Sequence, residues 1–161
     1  MKADDVYRVL QQLHIPYEKY DHPPVFTVAE AEEYWKEIDA THCKNLFFRD
    51  KKGRQHYLVV LPSDKQLDVK SLSRSLGRGR LSFGSEERLM KWLGLTPGSV
   101  SPFGLINDPE NHVKVFIDRD LQQASKLGFH PNDNRVTLLV TRDDFIKYLE
   151  WTGNDHEYLQ V

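Results

Sequence analysis

The hydrophobic positions of the chain follow two periods, one typical of helices and the other typical of strands. Residues 1–13 place apolar side chains at helical spacing, which predicts an amphipathic first helix. Residues 15–21 alternate apolar and polar side chains, as a short strand does. Thr27 followed three residues later by Glu30 is a capping box, so we expect a second helix from Val28 to Trp35 or Glu37.

A hairpin is predicted in the next part of the chain. Residues 44–49 and 55–61 are two apolar-rich runs, and the polar, glycine-containing turn 50–53 joins them. Further on, Asp68 and Ser85 are good first residues for two helices that would end at Gly77 and Gly94.

The remaining elements follow the same signals. Residues 80–83, 113–118 and 136–140 are strand candidates, and Thr141 caps a last helix that runs to Gly153. Helices and strands interleave without a regular βαβ rhythm, and no internal repeat is visible. We therefore expect an α+β fold in one domain, residues 1–161, in which helices pack around a mixed, largely antiparallel curved sheet.

The charged residues are distributed unevenly along the sequence. The formal net charge is -2, yet residues 65–91 carry seven basic and three acidic side chains, while residues 142–161 carry two basic and five acidic ones. One middle region is thus suited to phosphate, although basic runs are more often solvated helix faces. The chain has one cysteine, and no apolar stretch approaches membrane-spanning length, so we expect a cytoplasmic protein without a membrane partner.

The sequence lacks the residue patterns of several common enzyme classes. The seven histidines show no metal-ligand spacing, and no P-loop, dinucleotide fingerprint or Gly-x-Ser-x-Gly elbow is present, so we expect no metal and no cofactor. Cys43 is interpreted as a buried structural thiol, because Lys44 beside it would face the opposite side of a strand.

Two local features stand out. Lys44 and Asn45 open an apolar strand, where an ammonium group is costly unless it emerges at an edge or meets an anion. The segment from Gly98 to Pro102 joins a glycine, which permits close backbone approach or an unusual conformation, to a proline that removes a donor. From the residues alone, a pocket built from both features competes with a plain hairpin edge and a structural turn.

At these residues the sequence resembles the bacterial prolyl-tRNA editing family, which comprises the insertion domain of prolyl-tRNA synthetases and free-standing relatives of the ProXp-ala type. Nearly the whole chain takes part, and the matching stretches are residues 22–31, 44–53, 80–85, 97–107 and 129–132. The resemblance implies hydrolysis of the ester between a wrongly attached amino acid, most of all alanine, and tRNA for proline. It also implies aminoacyl-tRNA as partner and a transient contact with prolyl-tRNA synthetase.

The resemblance further implies roles for named residues. Lys44 would hold the substrate end, Asn45 and His130 would help to line the site, and the main chain of the Gly98 loop would lie beside the ester. The residues expected at the reaction are Lys44, Gly98, Ser99, Val100, Ser101 and Pro102. Those expected to bind substrate are Asn45, Phe26, Thr27, His130, Phe103 and Gly104. Those expected to bind the RNA are Arg78, Arg80, Lys70 and Arg74.

The expected chemistry needs no protein nucleophile, because an aminoacyl ester is already activated and requires mainly a positioned water and stabilisation of the oxyanion. Relatives that remove cysteine leave the amino acid open, although residues 97–107 are closer to the alanine type. A non-catalytic RNA-binding module with the same fold is the alternative, and the intact Lys44 and Gly98 favour catalysis over it.

Overall fold

Four helices begin at the short polar side chains that predict their first turns, and three of these four end at the predicted glycines. The structure is a computed structural model that describes residues 3–36 and 38–161, so Met1, Lys2 and Glu37 of the predicted helices lie outside it. Thr27, Asp68, Ser85 and Thr141 each accept a hydrogen bond from a main-chain N–H of the first helical turn. The helices are α1 (Ala3–Gln12), α2 (Val28–Trp35), α3 (Val69–Leu76), α4 (Glu86–Leu93) and α5 (Arg142–Thr152).

The capping box at α2 is not reciprocal. Thr27 Oγ1 accepts from Glu30 N at 3.1 Å, but the Glu30 carboxylate accepts from Phe26 N at 3.4 Å rather than from the main chain of Thr27. The carboxylate thereby fixes the residue that precedes the cap, which brings Phe26 to the start of α2.

Eight strands form one mixed sheet, as the α+β prediction requires. They are β1 (Glu18–Asp21), β2 (Thr41–Arg49), β3 (His56–Pro62), β4 (Ser82–Phe83), β5 (Lys114–Asp118), β6 (Lys126–Phe129), β7 (Val136–Thr141) and β8 (His156–Leu159). The order across the sheet is β1-β7-β6-β2-β3-β5-β8, and β4 pairs with β2. The predicted hairpin is confirmed, since β2 and β3 pair antiparallel from Cys43 opposite Pro62 to Arg49 opposite His56.

Strand β2 has a gap along one edge. On that edge it pairs with β6 at Thr41 and His42 and with β4 at Phe48 and Arg49. Within the described chain, no strand pairs with this edge between those two places. Gly84 N donates to Phe47 O at 2.9 Å, so the main chain of Phe47 points toward this edge, and that of Asn45, two residues earlier, does the same.

The core lies on both faces of the sheet in three clusters of unequal size. The largest joins α1, α4 and α5 to the sheet and includes Phe47, Phe103 and Tyr148, while a second packs α3 against the other face around Phe48 and Phe116. The third is small and consists of Val25, Ala31 and Trp35, with Ile38 packed against them. Helix α2 therefore rests on a patch of its own rather than on the main core.

Three observations differ from the sequence prediction. Strands β6 and β8 were not predicted, and the segment 96–104, which its many glycines and prolines predict to be an ordered loop, contributes to two short 3-10 helices, Pro97–Ser99 and Pro102–Asn107. A third 3-10 helix spans Arg119–Gln123. No helix in residues 3–36 or 38–161 is long and apolar enough to cross a membrane.

Candidate functional site

A cleft with a volume of about 150 Å³ opens at the gap in the edge of β2. Four structural units supply its walls: the start and inner face of α2, the strand β2, the first 3-10 turn and the end of β6. The lining residues are Val25, Phe26, Thr27, Ala31, Trp35, Cys43, Lys44, Asn45, Leu46, Pro97, Gly98, Val100 and His130. Seven of the sequence-predicted site residues are thus brought together in one place.

Lys44 contributes a cation that the protein does not neutralise. Its side chain is half-buried in the cleft wall. Among residues 3–36 and 38–161, its ammonium group forms neither an ion pair nor a hydrogen bond. A partly buried ammonium without a carboxylate is favourable when it meets an anion or an electron-rich oxygen of a ligand.

Asn45 contributes an acceptor with no protein partner. Its Nδ2 donates to the main-chain oxygen of Val100 at 3.4 Å, and this contact ties β2 to the 3-10 turn. Its Oδ1 is buried and has no hydrogen-bond partner within the described part of the chain. Because an unpaired buried acceptor is costly, the arrangement is suited to a ligand that brings an N–H or O–H group.

His130 lies at the end of β6 in a neutral form. Its Nδ1 is 2.7 Å from the main-chain oxygen of Val136, which can only accept, so Nδ1 carries the proton and Nε2 is left as an acceptor. Burial lowers the pKa of His130, and the neighbouring His22 lowers it further, while the bond to Val136 acts in the opposite direction. The imidazole is therefore neutral at pH 7 and can accept a proton.

A glycine is required at position 98 because of a close contact and not because of the backbone conformation. A Cβ built at this position would lie 2.8 Å from Cδ1 of Phe26, which is closer than real Cβ atoms approach. Its φ is not positive, so the expectation of a conformation that only glycine tolerates is wrong. The first hydrogen bond of the turn runs from Ser99 N to Thr96 O at 3.0 Å and leaves the Gly98 amide unused by it.

Ser101 to Gly104, which were also predicted to belong to the site, face the core instead of the cleft. Ser101, Pro102, Phe103 and Gly104 are buried, and none of them lines the cleft. The Ser101 hydroxyl accepts from Phe103 N at 3.1 Å as the cap of the second 3-10 helix, and the Pro102 oxygen accepts from the Tyr148 hydroxyl at 2.9 Å. Ser99 is half-buried and also absent from the lining. These contacts anchor the turn that carries Gly98.

The basic residues separate into two groups. Lys70, Arg74 and Arg80 are exposed along one groove of about 560 Å³ beside α3, which we call the basic groove. Arg78 instead lies 3.5 Å from the buried Asp50, and Lys65 pairs with Asp118 at 2.7 Å. Lys65 and Arg78 are therefore paired with buried carboxylates, whereas Lys70, Arg74 and Arg80 stand exposed together in the basic groove.

Sequence reasoning missed part of the cleft. Ala31 and Trp35 share one face of α2 at the spacing of one helical turn, which is a signal that could have identified them. Cys43 lines the cleft but is 5% exposed, and burial raises the pKa of its thiol, so the prediction that this cysteine is buried is confirmed. Within the described residues, no group of three His, Cys, Asp or Glu side chains could hold a metal ion.

The sequence of the chain matches one family profile and several named relatives. The family profile of the aminoacyl-tRNA editing domain matches residues 22–148. The chain is 43% identical to the prolyl-tRNA editing protein ProX of Acetoanaerobium sticklandii, covering 94% of this chain and 93% of that protein. It is 33% identical to the prolyl-tRNA synthetase associated domain-containing protein 1 of Bos taurus, covering 91% and 87%.

The fold has solved counterparts as well. The crystal structure of a hypothetical protein superposes with a TM-score of 0.73 at 22% identity and covers 94% of this chain and 95% of that one. A likeness at this identity concerns the fold alone, whereas the profile match and the sequence relatives concern the family. The chain belongs to the aminoacyl-tRNA editing domain family.

Proposed function

We propose that the protein removes alanine from wrongly charged tRNA for proline by hydrolysis of the aminoacyl ester. Membership of the editing family makes it a hydrolase that acts on mischarged tRNA, and the relative named ProX supports tRNA for proline as the carrier. The observation that supports the reaction most directly is the meeting of an unneutralised ammonium, Lys44, and an unpaired acceptor, Asn45 Oδ1, in one small cleft.

The size of the cleft supports a small amino acid. Its volume of about 150 Å³ is similar to that of cavities that hold one benzene-sized molecule. An alanyl group with its ester fits such a space, and the nucleotide that carries it must lie outside. Size alone rejects larger side chains but discriminates poorly against smaller ones, because one methylene changes binding by about 1 to 3 kcal/mol.

The polar groups suggest how the substrate is held. The α-ammonium of an alanyl ester is a donor, and it matches the unpaired Asn45 Oδ1. Lys44 is itself a cation, so it is better suited to an oxygen of the terminal ribose or phosphate than to the α-ammonium. These two assignments put the α-ammonium of the amino acid at Asn45 and an oxygen of the nucleotide at Lys44.

Hydrolysis then needs a water and a site for the developing negative charge. The water oxygen bonds to the ester carbonyl carbon while Nε2 of the neutral His130 accepts its proton. The Gly98 amide donates to the carbonyl oxygen as it becomes an oxyanion. When the carbon–oxygen bond to the ribose breaks, the proton passes to the ribose oxygen, which leaves free alanine and a tRNA with an intact terminal hydroxyl.

The basic groove is suited to the phosphates of the acceptor stem. Arg80 precedes β4, and Gly84, which follows β4, lies at the far end of the gap in β2. A second cavity of about 230 Å³ adjoins the cleft through Asn45, Leu46, Pro97 and Val100, and the exposed ring of Phe83 contributes to its lining. A single-stranded RNA end can follow this path with its phosphates near Arg80.

The test compares four charged forms of tRNA for proline, carrying alanine, cysteine, serine or proline. We expect the fastest deacylation with alanine and the slowest with proline. Faster turnover of the cysteine form would reassign the substrate. Absence of turnover with all four, together with retained tRNA binding, would favour a non-catalytic RNA-binding module.

A further inference from the structure

We propose that Thr137 is a positioning residue that holds α2 against the sheet and thereby sets the width of the cleft. Thr137 lies on β7, opposite Tyr20 of β1, and is fully buried. It does not line the cleft, so it acts through the helix that does. The proposal rests on the proposed function, because the width of the cleft matters only if an aminoacyl group enters it.

The Thr137 hydroxyl joins two rings in one chain of hydrogen bonds. His22 Nδ1 is 2.9 Å from the Pro23 oxygen, which can only accept, so the neutral ring has its acceptor at Nε2. Thr137 Oγ1 lies 2.8 Å from this Nε2 and therefore donates its proton to it. The same oxygen accepts from Trp35 Nε1 at 3.0 Å. His22 Nε2 and Trp35 Nε1 both depend on this hydroxyl for their hydrogen bonds.

Helix α2 has few other attachments. Among the residues that the structure describes, the bond from Trp35 is the only side-chain hydrogen bond from α2 to the sheet. Its buried apolar residues form the small third cluster, while the Trp35 ring stacks on His42 at 4.4 Å and the Tyr34 ring stacks on His22 at 5.3 Å. Before the helix, Val25 exchanges two hydrogen bonds with Asn134, at 2.9 and 3.2 Å.

Helix α2 and the residues before it form one wall of the cleft, so the position of the helix affects the width of the cleft. Ala31 and Trp35 of α2, with Phe26 and Thr27 before it, face Lys44 and Asn45 of β2 across the cleft. If α2 moved away from the sheet, the opening would widen and the size limit on the amino acid would relax. Selection by size requires a rigid cleft wall, and the buried chain of hydrogen bonds through Thr137 keeps the α2 wall in place.

The variants follow from the chemistry of the hydroxyl. Thr137→Val keeps the shape and removes the hydroxyl, whereas Thr137→Ser keeps the hydroxyl and removes the methyl group. Thr152→Val serves as a matched control, because the Thr152 hydroxyl donates to the Leu149 oxygen at 2.9 Å at the end of α5, away from the cleft lining. Two readouts are needed: hydrogen exchange of the α2 amides, and kcat and KM for tRNA for proline charged with alanine or with proline.

We expect Thr137→Val to speed exchange across α2 and to lower the alanine-to-proline ratio of kcat/KM by about tenfold, the effect of one methylene in a pocket. Thr137→Ser should restore both quantities, and Thr152→Val should change neither. Unchanged exchange in α2, or an unchanged substrate ratio in a folded Thr137→Val protein, would overturn the proposal. Lack of deacylation by the unaltered protein would refute the proposed function instead, and the exchange readout would still show whether Thr137 holds the helix.

Discussion

Acidification from pH 7 to pH 4 should destabilise the protein through one buried histidine on β3. His56 is 1% exposed, and its Nε2 lies 3.0 Å from NH1 of Arg88. A guanidinium can only donate, so Nε2 accepts, and the protonated Nδ1 donates to His112 Nε2 at 2.8 Å. A second proton on His56 would have to bind at Nε2, where it would face the guanidinium.

The magnitude follows from the pKa of this imidazole. Burial, then His112 and then Arg88, lower the pKa of His56 from 6.5 to about 4. The unfolded chain therefore binds a proton near pH 6.5, whereas the folded protein does so only near pH 4. The stabilisation is complete above pH 6.5 and declines as the pH falls, and about 3 kcal/mol is lost by pH 4. That is a large share of the 5 to 15 kcal/mol that a typical domain has.

The assay is urea unfolding followed by circular dichroism at pH 7, 6, 5 and 4. The reference is His56→Gln, which keeps an acceptor and a donor but cannot titrate. Its free energy of unfolding should fall by about 3 kcal/mol less over this range than that of the unaltered protein. The lowered pKa values of His42 and His130 contribute to both proteins alike, and the loss from the lowered pKa values of Asp50 and Asp133 begins only near pH 4 and continues below it. Equal losses in both proteins would refute the reasoning.

Three further outcomes are expected. Lys44→Ala should lose about 100-fold in deacylation with an unchanged circular dichroism spectrum, because a charge aimed at the reacting end is removed; near-normal activity would take Lys44 out of the site. Gly98→Val should lower the rate of deacylation about 100-fold because the new side chain displaces Phe26, whereas Ser99→Ala should keep most of the activity. An inactive but folded Ser99→Ala protein, or an acylated Ser99 in quenched enzyme, would contradict this. Arg80→Glu should weaken tRNA binding at low salt and leave hydrolysis of alanyl-adenosine unchanged, because the groove contacts phosphates; equal loss on both substrates would place Arg80 in the cleft.

The helices could be predicted because local chemistry determines their ends. A side chain such as that of Ser85 satisfies the first orphan N–H groups, and Gly94 adopts the left-handed φ of 65° that ends the helix, so both signals lie within a few residues. Strands β6 and β8 give no such signal. β6 is four residues long and includes Gly128, whose missing side chain makes room for the His42 ring. β8 is a half-exposed edge strand, so it lacks the apolar alternation that identifies buried strands.

The candidate site was predictable to a similar degree. Lys44 is conspicuous because an ammonium in an apolar strand requires an explanation, and Gly98 is conspicuous because it stands among prolines. The burial of Ser101 to Gly104 could not be predicted from the sequence, because apolar residues are equally suited to a ligand pocket and to a core. Thr137 gives no sequence signal either, because one threonine in a strand is ordinary, and its role depends on rings that are distant along the chain.

The gap in β2 has a consequence for the speed of binding. Within residues 3–36 and 38–161, no strand pairs with the edge at Asn45 in the free protein, and the main-chain groups there point outward. An incoming aminoacyl end therefore does not have to separate two strands or wait for a local opening of the sheet. Association should be limited by diffusion and by the orientation of the RNA rather than by unfolding, so its rate constant should vary with viscosity and salt and vary little with the stability of the fold.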